Sequence, residues 1–266
     1  MRTRAVAAAG AVLAAVLALS ACGGGAGAQG ASNDGARSGG TASASPDPKS
    51  TSGDTVPSSG TETVSKDLEY YIAHPGGEKT VALTFDDGPS PRWTPQILAL
   101  LARYNAHATF CEIGPEAQAA PAVVKRILAA GDRLCDHSVH HNEAMSKRGL
   151  AYETNEIVGA KQMIEAAGGP GTQVSWFRAP GGDFTPEIRG ISAKNGLRPL
   201  AWSIDTNDWK RPGVASIVAD VKKNVRPGSI ILMHDAGGDR SQTVAALGQL
   251  LPWLIQQGYS INFPDA

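Results

Sequence analysis

Between residues 81 and 263 short apolar runs alternate with longer amphipathic ones, and no other feature of this chain narrows its fold so far. Runs at 81–85, 109–113, 133–135, 174–177, 200–204, 229–233 and 259–263 have the length and apolar character of buried strands. The stretches at 94–104, 121–130, 151–167, 214–225 and 243–257 read as helices. So does one opened by Thr185-Pro186, a good N-cap and first-turn pair, and stopped by Gly196. Strands that alternate with helices pair in parallel and are covered on both faces. The strand count falls short of the roughly eight of a regular barrel. The expectation is therefore an α/β chain folded as a deformed or incomplete (β/α) barrel of about seven parallel strands, with a doubly wound open sheet as the alternative.

The ends of the chain differ from its middle. Residues 1–22 hold Arg2 and Arg4, an uncharged Ala/Val/Leu run and then Leu19-Ser20-Ala21-Cys22, the order of a secretory signal. Its apolar part is too short to read as a membrane span. Leu-Ser-Ala-Cys resembles the bacterial lipobox, so Cys22 is expected to carry lipid and to anchor the exported protein to the outer face of the cytoplasmic membrane. An ordinary signal peptide with an incidental cysteine, and hence a secreted protein, is the alternative. Residues 23–66 are Gly, Ala, Ser, Thr, Pro and Asp with almost no large apolar side chain, and read as a flexible tether. Residues 67–266 suffice for a single domain with a large core. With 24 Lys and Arg against 25 Asp and Glu there is no basic excess, so nucleic acid is not an expected partner. The chain is expected to be a monomer. Cys111 and Cys135 fall in successive predicted strands, and outside the cell a disulfide between them is expected, two buried thiols being the alternative.

Polar residues cluster where the predicted strands end, the face on which parallel barrels keep their chemistry. Asp86-Asp87-Gly88-Pro89 ends the first strand; two adjacent carboxylates there are costly to bury without a partner, although Asp-Gly-Pro is also good turn chemistry. His137-Ser138-Val139-His140-His141 follows the third. His137 and His141 at i, i+4 would share one face of a helical turn and serve two ligand positions, with His140 at the surface or behind them. The glutamate of a zinc-peptidase His-Glu-x-x-His helix is missing, so a general base must come from elsewhere, and Asp86 is available. Arg178-Ala179-Pro180-Gly181-Gly182 offers a fixed cation beside unencumbered backbone, Asp205-Thr206-Asn207-Asp208-Trp209 a carboxylate and a flat side chain, and His234-Asp235 an acid or base.

Taken in order, Thr84-Phe85-Asp86-Asp87-Gly88-Pro89, His137-Ser138-x-x-His141, Arg178-x-Pro180-x-Gly182, Asp205-x-x-Asp208-Trp209 and Leu232-x-His234-Asp235 resemble the five motifs of the polysaccharide deacetylases, the NodB-type carbohydrate esterases of family four. The resemblance spans residues 79–263. It implies one divalent metal, usually zinc, with cobalt, manganese or nickel as substitutes, held by Asp87, His137 and His141. It implies Asp86 as general base oriented by Arg178, His234 as general acid tuned by Asp208, and Leu232 in the pocket for the acetyl methyl. Gly181 stands where the family often has an aromatic residue; its N–H can still meet an oxyanion, but a wall of the substrate groove is lost, leaving Trp209 as the flat surface.

No Gly-x-Ser-x-Gly elbow or credible cysteine nucleophile is present, which disfavours an acyl-enzyme. The expected activity is removal of N-acetyl groups from an N-acetylglucosamine polysaccharide, peptidoglycan or chitin-like oligomers. An acetyl-xylan esterase on the same site and a catalytically silent wall-binding lipoprotein are the rivals.

Overall fold

The structure, a computed structural model, describes residues 64–73 and 78–264. The signal-like segment 1–22 with Cys22, and the 23–66 tether apart from its last three residues, lie outside the described residues. Among the described residues no helix is long and apolar enough to cross a membrane.

Among the described residues eight short strands form one sheet in which every strand pairing is parallel. They are β1 (Thr80–Asp86), β2 (Thr109–Glu112), β3 (Arg133–Asp136), β4 (Trp176–Phe177), β5 (Arg198–Pro199), β6 (Ile204–Asp205), β7 (Ser229–His234) and β8 (Ser260–Ile261). The order is β5-β4-β3-β2-β1-β7-β6. β7 runs along one edge of β1, while β8 pairs its first residues and β2 its last. The helices α1 (Thr94–Arg103), α2 (Gly114–Ala119), α3 (Pro121–Ala129), α4 (Leu150–Gly168), α5 (Pro186–Lys194), α6 (Val214–Asn224) and α7 (Ser241–Gln256) connect the strands. The fold is thus the incomplete (β/α) barrel expected from the alternation.

Side chains alternate across each strand, so the sheet builds two cores. Val81, Leu83 and Phe85 of β1 pack outwards with Phe110, Leu134, Ile231 and the apolar sides of the helices. Ala82 faces inwards with Cys111, Cys135, Trp176, Leu200 and Ile230. A parallel sheet buried on both faces reads as unbroken apolar runs, which is why β1 and β7 are plain in the sequence.

The expected strand at 200–204 does not form as one piece. Its place is taken by β5 and β6, which lie at opposite ends of the sheet, so residues 200–203 cross the gap that keeps the barrel open. The cause is Arg178: its Nε donates to the Leu200 carbonyl and its Nη2 to the Ala201 carbonyl, both at 3.1 Å, removing acceptors that a strand ladder would need. Two other expectations shift. The run at 174–177 keeps ladder geometry only over Trp176–Phe177, and α2, whose sequence has little amphipathic period, was not foreseen. Thr185 caps α5 as its sequence implies, accepting from the Ile188 N–H at 3.2 Å.

Cys111 and Cys135 are direct register partners on β2 and β3 and are joined by a disulfide in the inner core. The bridge closes a chain separation of 24 residues. Loop-closure entropy for that length gives roughly 3 kcal/mol of stabilisation. Reduction should therefore lower the melting temperature, and intact mass under non-reducing denaturation should show no alkylatable thiol at either position. Two alkylated thiols at these positions would refute the bridge.

Candidate active site

The C-terminal ends of β1, β3, β4, β6 and β7 deliver the polar clusters to one cleft of about 400 Å³. A second hollow of similar size lies at the opposite ends of β3 and β4, between Leu128, Asp132, Gln173 and Trp176, and contains none of these clusters.

Asp86 is the last residue of β1 and points inwards, where it meets Arg178. The guanidinium is fully buried, with Nη1 donating to Asp86 Oδ1 at 2.7 Å and to Thr84 Oγ1 at 2.9 Å. Together with the two carbonyls of 200–201, these bonds satisfy a cation that would otherwise be very costly inside a barrel. Asp86 Oδ2 remains 3.6 Å from His137 Nε2.

The backbone turns at Asp87 into the left-handed region (φ 75°), which aspartate tolerates better than most residues. This turn puts Asp87 Oδ1 3.2 Å from His141 Nε2 and 3.7 Å from His137 Nε2. The three ligand-type atoms lie within 4.8 Å of one another. Asp87 Oδ1 is buried and has no hydrogen-bond partner, a condition that a cation between these groups would relieve. His137 Nδ1 lies 2.7 Å from the Arg178 carbonyl, which fixes Nδ1 as the protonated nitrogen and leaves the Nε2 lone pair to face Asp87. Burial, against the opposing pull of Asp86 and Asp87, lowers the His137 pKa and favours the neutral, ligating imidazole. The donor set of one carboxylate and two imidazoles therefore fits a divalent metal.

The two histidines do not converge through a helical turn. Residues 137–141 form a loop in which Ser138 (φ 72°) and His141 (φ 50°) are left-handed. Three fastenings hold it: Asp136 Oδ1 accepts from Ser138 N at 2.7 Å, Ser138 O accepts from Gly114 N, and the buried Glu156 of α4 accepts from His140 N at 2.8 Å. Glu156 Oε1 also lies 2.6 Å from His140 Nδ1, so His140 anchors the loop from behind. Glu156 was invisible as a site residue in sequence, because one glutamate in a long helix normally faces water.

His234, at the end of β7, enters the cleft from the other side. Its Nδ1 is 2.7 Å from Asp208 Oδ1, and its backbone N–H donates to Asp208 Oδ2 at 2.9 Å. Thr243 Oγ1 of α7 donates to the same Oδ2 at 2.6 Å. Burial opposes the imidazolium, but Asp208, with Asp86 and Asp87 behind it, outweighs this and raises the His234 pKa. Burial likewise works against the Asp208 carboxylate, and its hydrogen bonds to His234 and Thr243 prevail, leaving it lowered. The neighbouring Asp235 points to the outer face of β7, where Thr94 Oγ1 donates to it; burial pushes its carboxyl up to about 7. Asp235 is therefore not the carboxylate that holds His234.

Leu232 and Gly181 line the cleft between these groups. Trp209, 49% exposed, stands at its rim. Trp202, Glu143, Asp205 and Arg240 line it too; of these, only Asp205 lies in a sequence cluster noted above.

Fold and cleft define a barrel hydrolase site with a carboxylate–imidazole trio that could hold a metal, a carboxylate on one side and a histidine–carboxylate pair on the other. Residues 73–200 match the family model for polysaccharide deacetylase. A peptidoglycan-N-acetylglucosamine deacetylase of Bacillus cereus is 42% identical over 193 residues, covering 70% of this chain and 86% of that protein. A chitooligosaccharide deacetylase of Sinorhizobium fredii is 39% identical over 210 residues, covering 74% and 97%. A solved peptidoglycan N-acetylglucosamine deacetylase, in complex with an N-oxidanyl-benzamide, superposes with a TM-score of 0.69 at 30% identity, covering 73% of this chain and 89% of that one. The chain belongs to the polysaccharide deacetylase family.

Proposed function

We propose that this protein hydrolyses the acetamide of N-acetylglucosamine units in a polysaccharide, peptidoglycan before chitin-like oligomers, with zinc held by Asp87, His137 and His141. One observation carries the reading: a carboxylate fixed by a buried arginine and a histidine fixed by a buried aspartate open into the same cleft as the ligand trio. The bound metal supplies Lewis acidity and a water of lowered pKa. Asp86, with Oδ1 committed to Arg178, takes a proton on Oδ2 as water adds to the acetyl carbon. Gly181 and Leu232 line the cleft, where the Gly181 N–H would meet the developing oxyanion and Leu232 would seat the methyl group. His234, with Nδ1 on Asp208, gives its Nε2 proton to the sugar nitrogen as the C–N bond breaks. Acetate and a glucosamine unit leave.

Support for peptidoglycan comes from the similarity to peptidoglycan deacetylases and from location, since an export signal and a lipid on Cys22 would keep the domain beside the wall. The test is acetate release measured side by side on peptidoglycan, N-acetylglucosamine oligomers and acetylated xylan. The first two should lead. Faster release from xylan would make the protein an ester hydrolase.

A further inference from the structure

Gly181 has a left-handed backbone (φ 61°), and the space a side chain would fill there is already occupied. A Cβ at residue 181 would stand 3.0 Å from Glu143 Cβ and 3.1 Å from its Cγ. Glu143 therefore forms the wall of the cleft at this point, two residues after His141 and directly over the Gly181 backbone. The 180–182 segment itself is a 3-10 turn, with Gly182 N bonded to the Ala179 carbonyl, so Gly181 has little freedom to move aside. Glu143 is exposed at the mouth of the cleft, and no hydrogen bond or ion pair engages its carboxylate among the described residues. The one arginine lining the cleft does not neutralise it: Arg240 is buried and donates to the Ala236 and Gly237 carbonyls. Lys210, which lies over the Trp209 ring at 4.7 Å, donates to Asn207 Oδ1.

From this arrangement we infer that Glu143 is a specificity-determining residue that favours a sugar chain carrying a free amine next to the unit in the site. An ammonium on a neighbouring glucosamine unit can pair with the Glu143 carboxylate, whereas an acetamide there gains nothing and an anionic group is repelled. The inference rests on the deacetylase reading for its substrate, and it has a consequence for the reaction. Each product unit would improve binding of the chain that bears it, so deacetylation would cluster along a chain instead of scattering.

The test separates binding from turnover. Metal-loaded enzyme carrying Asp86→Asn, so that the ligand is not consumed, is titrated with the glucosamine tetramer and with the N-acetylglucosamine tetramer, with residue 143 wild type or substituted; acetate release is followed separately with Asp86 in place. The wild type should bind the amine form more tightly relative to the acetylated form than Glu143→Gln does. The affinity ratio should differ about two- to fivefold, the size expected of one solvent-screened ion pair, and should collapse as salt is raised from ~0.05 to ~0.5 M. Glu143→Lys should lower the ratio further. A ratio unchanged in Glu143→Gln, or one insensitive to salt, overturns the inference whatever the acetate assay shows. A charge-dependent ratio in an enzyme that releases no acetate would support the role of Glu143 and sink the deacetylase reading instead.

Discussion

Exhaustive chelation should take acetate release below detection, and Zn²⁺ or Co²⁺ added back should restore it. The expectation follows from the state of Asp87. Its Oδ1 is buried between two imidazole nitrogens with no hydrogen donor, and an orphaned buried carboxylate oxygen is unfavourable unless a cation meets it. His137 is already arranged to ligate, with Nδ1 on a carbonyl and its proton affinity lowered by burial. Nothing else in the cleft can activate water as strongly, since a metal supplies several kcal/mol of charge stabilisation. A second readout is independent of turnover: metal at about a hundred times its Kd should stabilise the fold by roughly 2.7 kcal/mol. Asp87→Ala should remove both effects. Full activity after chelation, with metal loss verified by elemental analysis, would overturn the metal mechanism.

How far the sequence speaks for the fold can be judged strand by strand. β1 and β7 are buried on both faces and appear as continuous apolar runs, so they are read directly. β5 and β6 could not be, because the apolar run at 200–204 gives no hint that its carbonyls are claimed by an arginine 22 residues away. Periodicity reports which residues are buried and says little about which partner takes a backbone group. The same limit applies to α2, six residues long and too short for a helical period to show.

The site was legible wherever a residue type is costly without a task, as with paired aspartates and a triplet of histidines. The manner of convergence was not. His137 and His141 meet through left-handed backbone at Ser138 and His141, a conformation non-glycine residues seldom adopt and spacing alone cannot reveal. Side chains that support the cleft were hidden for a different reason. Glu156, Thr243 and Thr84 act through hydrogen bonds to other functional groups, and their roles exist only once distant segments are brought together. Glu143 and Gly181 gain meaning only as a pair, because the absence of a side chain at one defines the space taken by the other.

Asp86→Asn should retain metal and lose about 10²–10⁴ in turnover, the usual worth of a general base. The amide cannot take the proton, and its oxygen can still accept from Arg178 Nη1, but the fully buried guanidinium loses its countercharge, so stability should fall by up to roughly 3–5 kcal/mol. His234→Ala should cost a similar factor on the amide and less on an ester of the same acyl group. An amine leaves only with a proton, whereas an alkoxide departs more readily. The pH profile then tests the pairing behind the acid. His234 works in its protonated form, and burial, which opposes the charge, is outweighed by the hydrogen bond and charge of Asp208, so its pKa is raised. Activity should therefore persist to higher pH than an ordinary histidine allows and fall as pH passes the raised value. Asp208→Asn removes the main attraction and leaves the opposing burial, so the alkaline limb should move to lower pH along with a fall in kcat. An alkaline limb that stays in place in Asp208→Asn, or wild-type amide hydrolysis by His234→Ala, would show that another group protonates the amine.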